Sequence, residues 1–153
     1  KILSKYIKKD RSLDFVCGTI KKDGRLYGGF NPEKIIRKFD IIPSSVVGFF
    51  IKRSSLKKVG YLNLKYKIQA DYDLLYRMIV KHNLKGVHTS GKEVFGDLGN
   101  SGFSKNHSFW KVLSNEIIIR NDNGQNKFVL LYIFIGRSLR KFFNSLFGLW
   151  IKI

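Results

Sequence analysis

The chain reads as an α/β fold, a mixed sheet with flanking helices followed by a C-terminal amphipathic helical tail. Three observations predict this. Short apolar runs bounded by turn residues, at 14–20 and 46–52, have the length and content of buried strands. Between them lie segments with helical periodicity, the clearest beginning at Asp71, where Leu74, Leu75, Met78 and Ile79 fall at i+3, i+4, i+7 and i+8. A chain of 153 residues, 44% of them apolar, has material for the core of one domain.

The elements follow in order. Residues 1–11 carry Lys1, Lys5, Lys8, Lys9 and Arg11 in a helix-like mixture and read as the end of an element that begins upstream. After the strand at 14–20, Asp23-Gly24 is a hairpin signal, and Leu26-Tyr27 is expected to return as a second strand ended by Gly28-Gly29. Pro32 suits the first turn of a brief helix running to about Phe39. Ser54 or Ser55 is expected to cap a short helix over 56–59, which Gly60 stops. The helix from Asp71 is predicted to run to His82 with Asn83 as terminator, followed by strands at 84–89 and 93–95. The glycine-rich stretch 96–104 reads as a loop, and a helix is expected from about Ser108 to Arg120. The polar run 121–126 is the clearest boundary, dividing 1–126 from a basic amphipathic tail at 127–153.

Twenty-nine basic against 11 acidic residues leave a net charge of +18, which predicts an anionic partner: nucleic acid, a phospholipid surface or a phosphate-bearing small molecule. Nucleic acid is disfavoured, because the lysines are scattered over every element and no zinc-finger, RNP or basic-zipper pattern occurs. The single cysteine, Cys17, excludes an internal disulfide and a multi-cysteine zinc site, and suits a reducing, cytoplasmic compartment. His82 and His88 read as structural, and no histidine pair has metal-ligand spacing. No secretory leader is visible, and the longest strongly apolar run, 128–135, is short for crossing a bilayer.

In so basic a chain, two carboxylates at the mouth of one helix draw attention. Asp71 heads the apolar stripe, so it is either a helix N-cap or a base held at a pocket edge. The helix terminus favours its anionic form while the apolar stripe opposes it. Asp73 points toward Arg77, an i,i+4 ion pair in the favourable orientation, with a structural or acceptor-orienting role.

Three phrases in order, Phe49-Phe50-Ile51-Lys52-Arg53 through Gly60, Lys67-Ile68-Gln69-Ala70-Asp71-Tyr72-Asp73 through Arg77, and Val94-Phe95 followed by Gly99-Asn100-Ser101-Gly102-Phe103-Ser104, resemble the acceptor-side half of family 2 glycosyltransferases, inverting nucleotide-sugar enzymes of GT-A fold. The resemblance implies a partial GT-A-like sheet, Asp71 as general base, a nucleotide-sugar donor and a glycan or lipid-linked acceptor. It also implies a divalent metal, Mg or Mn, whose ligands belong mainly to the half preceding these phrases. That half has no counterpart in residues 1–13, so the chain is expected to resemble the back half only and to be inactive alone. Asp71-Tyr72-Asp73 spells the metal-binding Asp-x-Asp of such enzymes, but that phrase follows a buried apolar strand there, whereas Lys65-Tyr66-Lys67-Ile68-Gln69-Ala70 precedes it here and a long helix follows; no metal ligand is assigned. Val46 stands where many relatives have histidine. Gly102 and Ser104 could let backbone amides approach a diphosphate, with Lys105 and His107 as cationic helpers, although a solvated glycine turn explains them equally well.

The tail interleaves Phe, Leu, Ile and Trp150 with Arg137, Arg140, Lys141 and Lys152, which suits the boundary of an anionic membrane; a core helix or dimer surface is the alternative. The chain is therefore expected to be cytoplasmic and peripheral at the inner membrane face. A non-catalytic basic module binding a membrane surface or nucleic acid is the competing function.

Overall fold

The computed structural model describes residues 2–22, 24–28, 48–98 and 107–147. The strand expected at 14–20 forms, but as two strands in two sheets: β1 (Phe15–Cys17) and β2 (Thr19–Lys22), broken at Gly18. β1 lies between β4 (Phe49–Ile51), antiparallel, and β5 (Gly86–His88), parallel. β2 lies between β3 (Arg25–Tyr27), antiparallel, and β6 (Val94–Leu98), parallel. Gly18 makes the break possible by close approach. A Cβ there would sit 1.7 Å from the Phe95 ring, while the Gly18 N–H donates to the Gly48 carbonyl at 2.7 Å. The architecture is mixed α/β with two small sheets.

The hairpin forms as expected, with Lys22 opposite Arg25 and Gly24 at φ 75°. α1 (Ile2–Lys9) precedes the sheets, and the Tyr6 hydroxyl donates to Glu93 at 2.5 Å, tying it to the approach to β6. β6 continues through Gly96, Asp97 and Leu98, so the loop expected from residue 96 is strand there, paired along β2. Val46, the expected helix near Pro32, and Gly102, Ser104 and Lys105 lie outside the described residues.

α2 (Arg53–Val59) is stopped by Gly60 at φ 89°, as its sequence predicts. Its N-terminus differs from expectation. Lys52 occupies the cap position without a side-chain bond, and the Ser55 hydroxyl instead donates to Asp14 Oδ1 at 2.6 Å. The other Asp14 oxygen accepts the Lys85 N–H at 2.8 Å, and its carbonyl accepts the Lys52 N–H at 2.8 Å. One carboxylate thus joins the beginning of β1, the first turn of α2 and the approach to β5. That use of Ser55 outweighs a local cap because the half-buried Asp14 carboxylate needs donors.

α3 (Ala70–Tyr76) passes into a π-helical turn (Arg77–Lys81), closed by the His82 N–H to the Arg77 carbonyl at 2.8 Å. Asn83 follows at φ 46°, the terminator expected. α4 (Phe109–Asp122) starts at the Ser108 cap, whose hydroxyl accepts the Lys111 N–H at 3.3 Å. α5 (Lys127–Phe147) begins after the polar turn and packs back on α4 through Leu130 and Ile133. The core gathers Phe15 and Cys17 of β1, Tyr72, Leu75, Tyr76, Met78 and Ile79 of the α3 segment, Val59, Leu84 and Ile119.

Candidate functional site

The chain enters α3 through an unusual backbone. Gln69 adopts φ 66°, ψ 29°, left-handed for a residue with a Cβ, and its buried Oε1 has no hydrogen-bond partner among the described residues. Two residues on, Asp71 lies inside the first helical turn rather than at the cap. Its Oδ1 accepts the Tyr72 N–H at 2.9 Å, and no protein donor reaches its Oδ2 among the described residues. Asp71 is half-buried.

Asp73, in contrast, is only 1% exposed, and its whole carboxylate is engaged. Arg77 donates to Oδ2 from Nε at 3.0 Å and Nη2 at 2.9 Å, while Asn123 Nδ2 donates to Oδ1 at 2.9 Å. The same guanidinium donates to the Val59 and Tyr61 carbonyls at 2.6 and 2.7 Å, which satisfies acceptors at the C-terminal end of α2. The sequence expectation placed Asp71 on the buried stripe and turned Asp73 away. The structure corrects this: Tyr72, Asp73, Leu75 and Tyr76 face inward, and Leu74 with Asp71 is only half-buried. The inner face is rotated because Tyr72 and Asp73 have buried polar partners that an apolar count does not register.

Those partners form a network that sequence reasoning missed. Glu116 and Arg120 on α4 are both buried, linked at 3.2 Å. The Tyr72 hydroxyl donates to Glu116 Oε1 at 2.8 Å and accepts from Arg120 Nε at 2.7 Å; Arg137 of α5 binds the other Glu116 oxygen. Gln125 Oε1 accepts from Arg120 at 2.8 Å and from the Tyr76 hydroxyl at 3.0 Å. Burial, reinforced by the Glu116 charge, holds the Tyr72 phenol well above its ordinary range, so it remains a donor at neutral pH. The i,i+4 spacing of Glu116 and Arg120 was the only sequence signal available, and on a helix it normally marks a solvated pair.

Beside this junction, the Tyr66 hydroxyl and Lys65 both donate to Asp122, at 2.7 and 2.6 Å, and hold its carboxyl below the usual range. His107 is half-buried immediately before the α4 cap, with its glycine-loop companions outside the described residues. His82 closes the π-helical turn through its backbone, and burial holds His88 below its ordinary value of 6.5.

Concavities form among the described residues. One of about 310 Å³ lies between α1 and the β1–β4 edge, lined by Leu3, Ile7, Phe50 and Lys52; another of about 380 Å³ is lined by Thr19, Leu26, Gly28, His88 and Gly91. Asp71 lines neither. No cluster of three or more His, Cys, Asp or Glu side chains able to hold a metal occurs among the described residues, and Asp73 has no oxygen to spare. Comparison with family models, with curated proteins and with solved structures finds no match to this chain.

Proposed function

We propose that this chain forms the acceptor side of an inverting glycosyltransferase in which Asp71 is the general base. The observation that carries the reading is the contrast between two acids in one turn. Asp73 has both oxygens engaged by Arg77 and Asn123, whereas Asp71, half-buried at the same helix start, has Oδ2 without a protein donor among the described residues. A carboxylate so held can accept a proton from a sugar hydroxyl approaching to about 2.6–3.2 Å. The left-handed Gln69 just ahead of it is the kind of backbone strain that accompanies functional positions. The order of the three family-like phrases supplies the reaction class.

In that reaction the acceptor oxygen attacks the anomeric carbon of a nucleotide-sugar. The new C–O bond forms as the bond to the diphosphate breaks, the electron pair leaves with the nucleoside diphosphate, and the hydroxyl proton passes to Asp71. The configuration inverts because attack is opposite the leaving group. Asp73 and Arg77 act as positioning residues, since they tie the first turn of α3 to the end of α2.

The test is transfer of labelled sugar by the translated product that carries residues 1–153, with Asp71→Asn beside the parent. Loss of about 10²–10⁴-fold in turnover with donor binding kept is expected for removal of a general base. Retained turnover would reject Asp71. A second reading, a non-catalytic module seated on a membrane surface, is favoured by the exposed apolar side of α5 and is compatible with the first.

A further inference from the structure

We propose that α5 is a membrane-surface helix that lies in the plane of an anionic phospholipid bilayer, with the side turned away from α4 buried among the lipids. This inference does not rest on the role of Asp71. It begins from how α5 is used inside the protein. Its 21 residues, about 30 Å of helix, contribute Leu130, Ile133 and Arg137 to the contact with α4. Leu131, Tyr132, Ile135, Leu139, Phe142 and Phe143 are all exposed, between 46% and 68%. At 100° per residue these six fall within an arc of about 120°, opposite the packed edge. An apolar arc of that width is what a helix presents to a core, yet here it faces outward.

Charge identifies what covers it. Lys127 and Lys141 lie beyond one border of the arc and Arg140 beyond the other, and no acidic residue occurs anywhere after Asp122. A second copy of the chain docked on this face would bring like charges together with no local acid to pair them. Lipid phosphates complement both flanks, while Tyr132 has the apolar body and polar tip suited to the headgroup boundary. The helix lies on the bilayer rather than through it: no helix among the described residues is long and apolar enough to cross a membrane.

The experiment is flotation of the full 153-residue chain with vesicles of phosphatidylcholine alone or mixed with phosphatidylglycerol. Partitioning onto the phosphatidylglycerol vesicles about tenfold or more above phosphatidylcholine, weakening as salt is raised, is expected. The double variant Ile135→Asp, Leu139→Asp alters exposed positions and should lose binding about tenfold or more with its thermal transition kept. Should that variant unfold, Lys127→Gln with Lys141→Gln should reduce the preference for the anionic vesicles. A polarity-sensitive dye on Phe142→Cys, with Cys17 buried and unlabelled, should shift to the blue on those vesicles. Absence of flotation, undiminished binding by the aspartate variant, or a dimer in light scattering that this variant dissociates without any vesicle binding would each overturn the proposal.

Discussion

Asp73 gives one oxygen to the Arg77 guanidinium and the other to the Asn123 amide, while Asp71, two positions earlier, accepts among the described residues only the N–H of its neighbour. Their substitutions should therefore diverge. Asp73→Asn leaves a largely buried guanidinium without its counter-charge and should cost about 3–5 kcal/mol in urea unfolding. Asp71→Asn should change stability by no more than about 0.5 kcal/mol, since it removes no buried partner. A loss of similar size at both positions would mean that Asp71 is structural. Gln69→Gly should stabilise by about 1 kcal/mol, because it relieves a left-handed backbone and removes a buried, unbonded carbonyl. A lower denaturation midpoint for that variant would show that the Gln69 side chain contributes to folding despite its orphaned oxygen.

Among elements, the decisive junction is α3 with α4 and α5, joined through the Glu116 carboxylate. Arg120, Arg137 and the Tyr72 hydroxyl all converge on it. Removing its charge leaves two guanidinium groups short of a counter-ion, one of them fully buried. Glu116→Gln should thus destabilise by about 3–5 kcal/mol and loosen α5, which hydrogen exchange along 127–147 would register. Unchanged exchange in that helix would show that Leu130 and Ile133 alone hold it. The Asp14 clamp works in the same way in the sheets, where a single side chain meets partners from α2 and the approach to β5.

Across the whole molecule, buried titrating groups set the pH range of stability. Burial pushes the Cys17 thiol up from 9.0 to about 12, and burial also raises the Tyr66, Tyr72 and Tyr76 phenols. A raised acid is protonated in the folded chain where the unfolded chain has begun to ionise. Its contribution is complete below the unfolded value and is lost as pH climbs toward the folded one. Burial lowers His88 below 6.5, so its contribution is complete above that value and declines below it. Thermal melts should accordingly show a plateau between about pH 6.5 and 9.0 and a fall on both sides. In Cys17→Ala the alkaline fall should be shallower; an identical slope would remove the thiol from the account. The buried thiol should also resist alkylation until the chain unfolds.

Turns and helix ends were legible in the sequence because their energetics are settled within a few residues. Gly24, Gly60, Asn83 and Ser108 each act on neighbouring backbone, and the hairpin, the stop of α2, the end of the α3 segment and the start of α4 follow from them. The mixture of strands and helices was likewise readable from periodicity, whereas the tail's composition left open whether its apolar side faces a core, a second copy or a membrane. The Asp73–Arg77 pair was readable from its i,i+4 spacing, but the burial of Asp73 and its bond to Asn123 were not. Ser55 left its own helix for Asp14, 41 positions away, and Tyr72 turned inward for Glu116, 44 positions away. Only folding brings such groups together, and a buried polar atom takes the partner that tertiary packing delivers over the one its local sequence suggests.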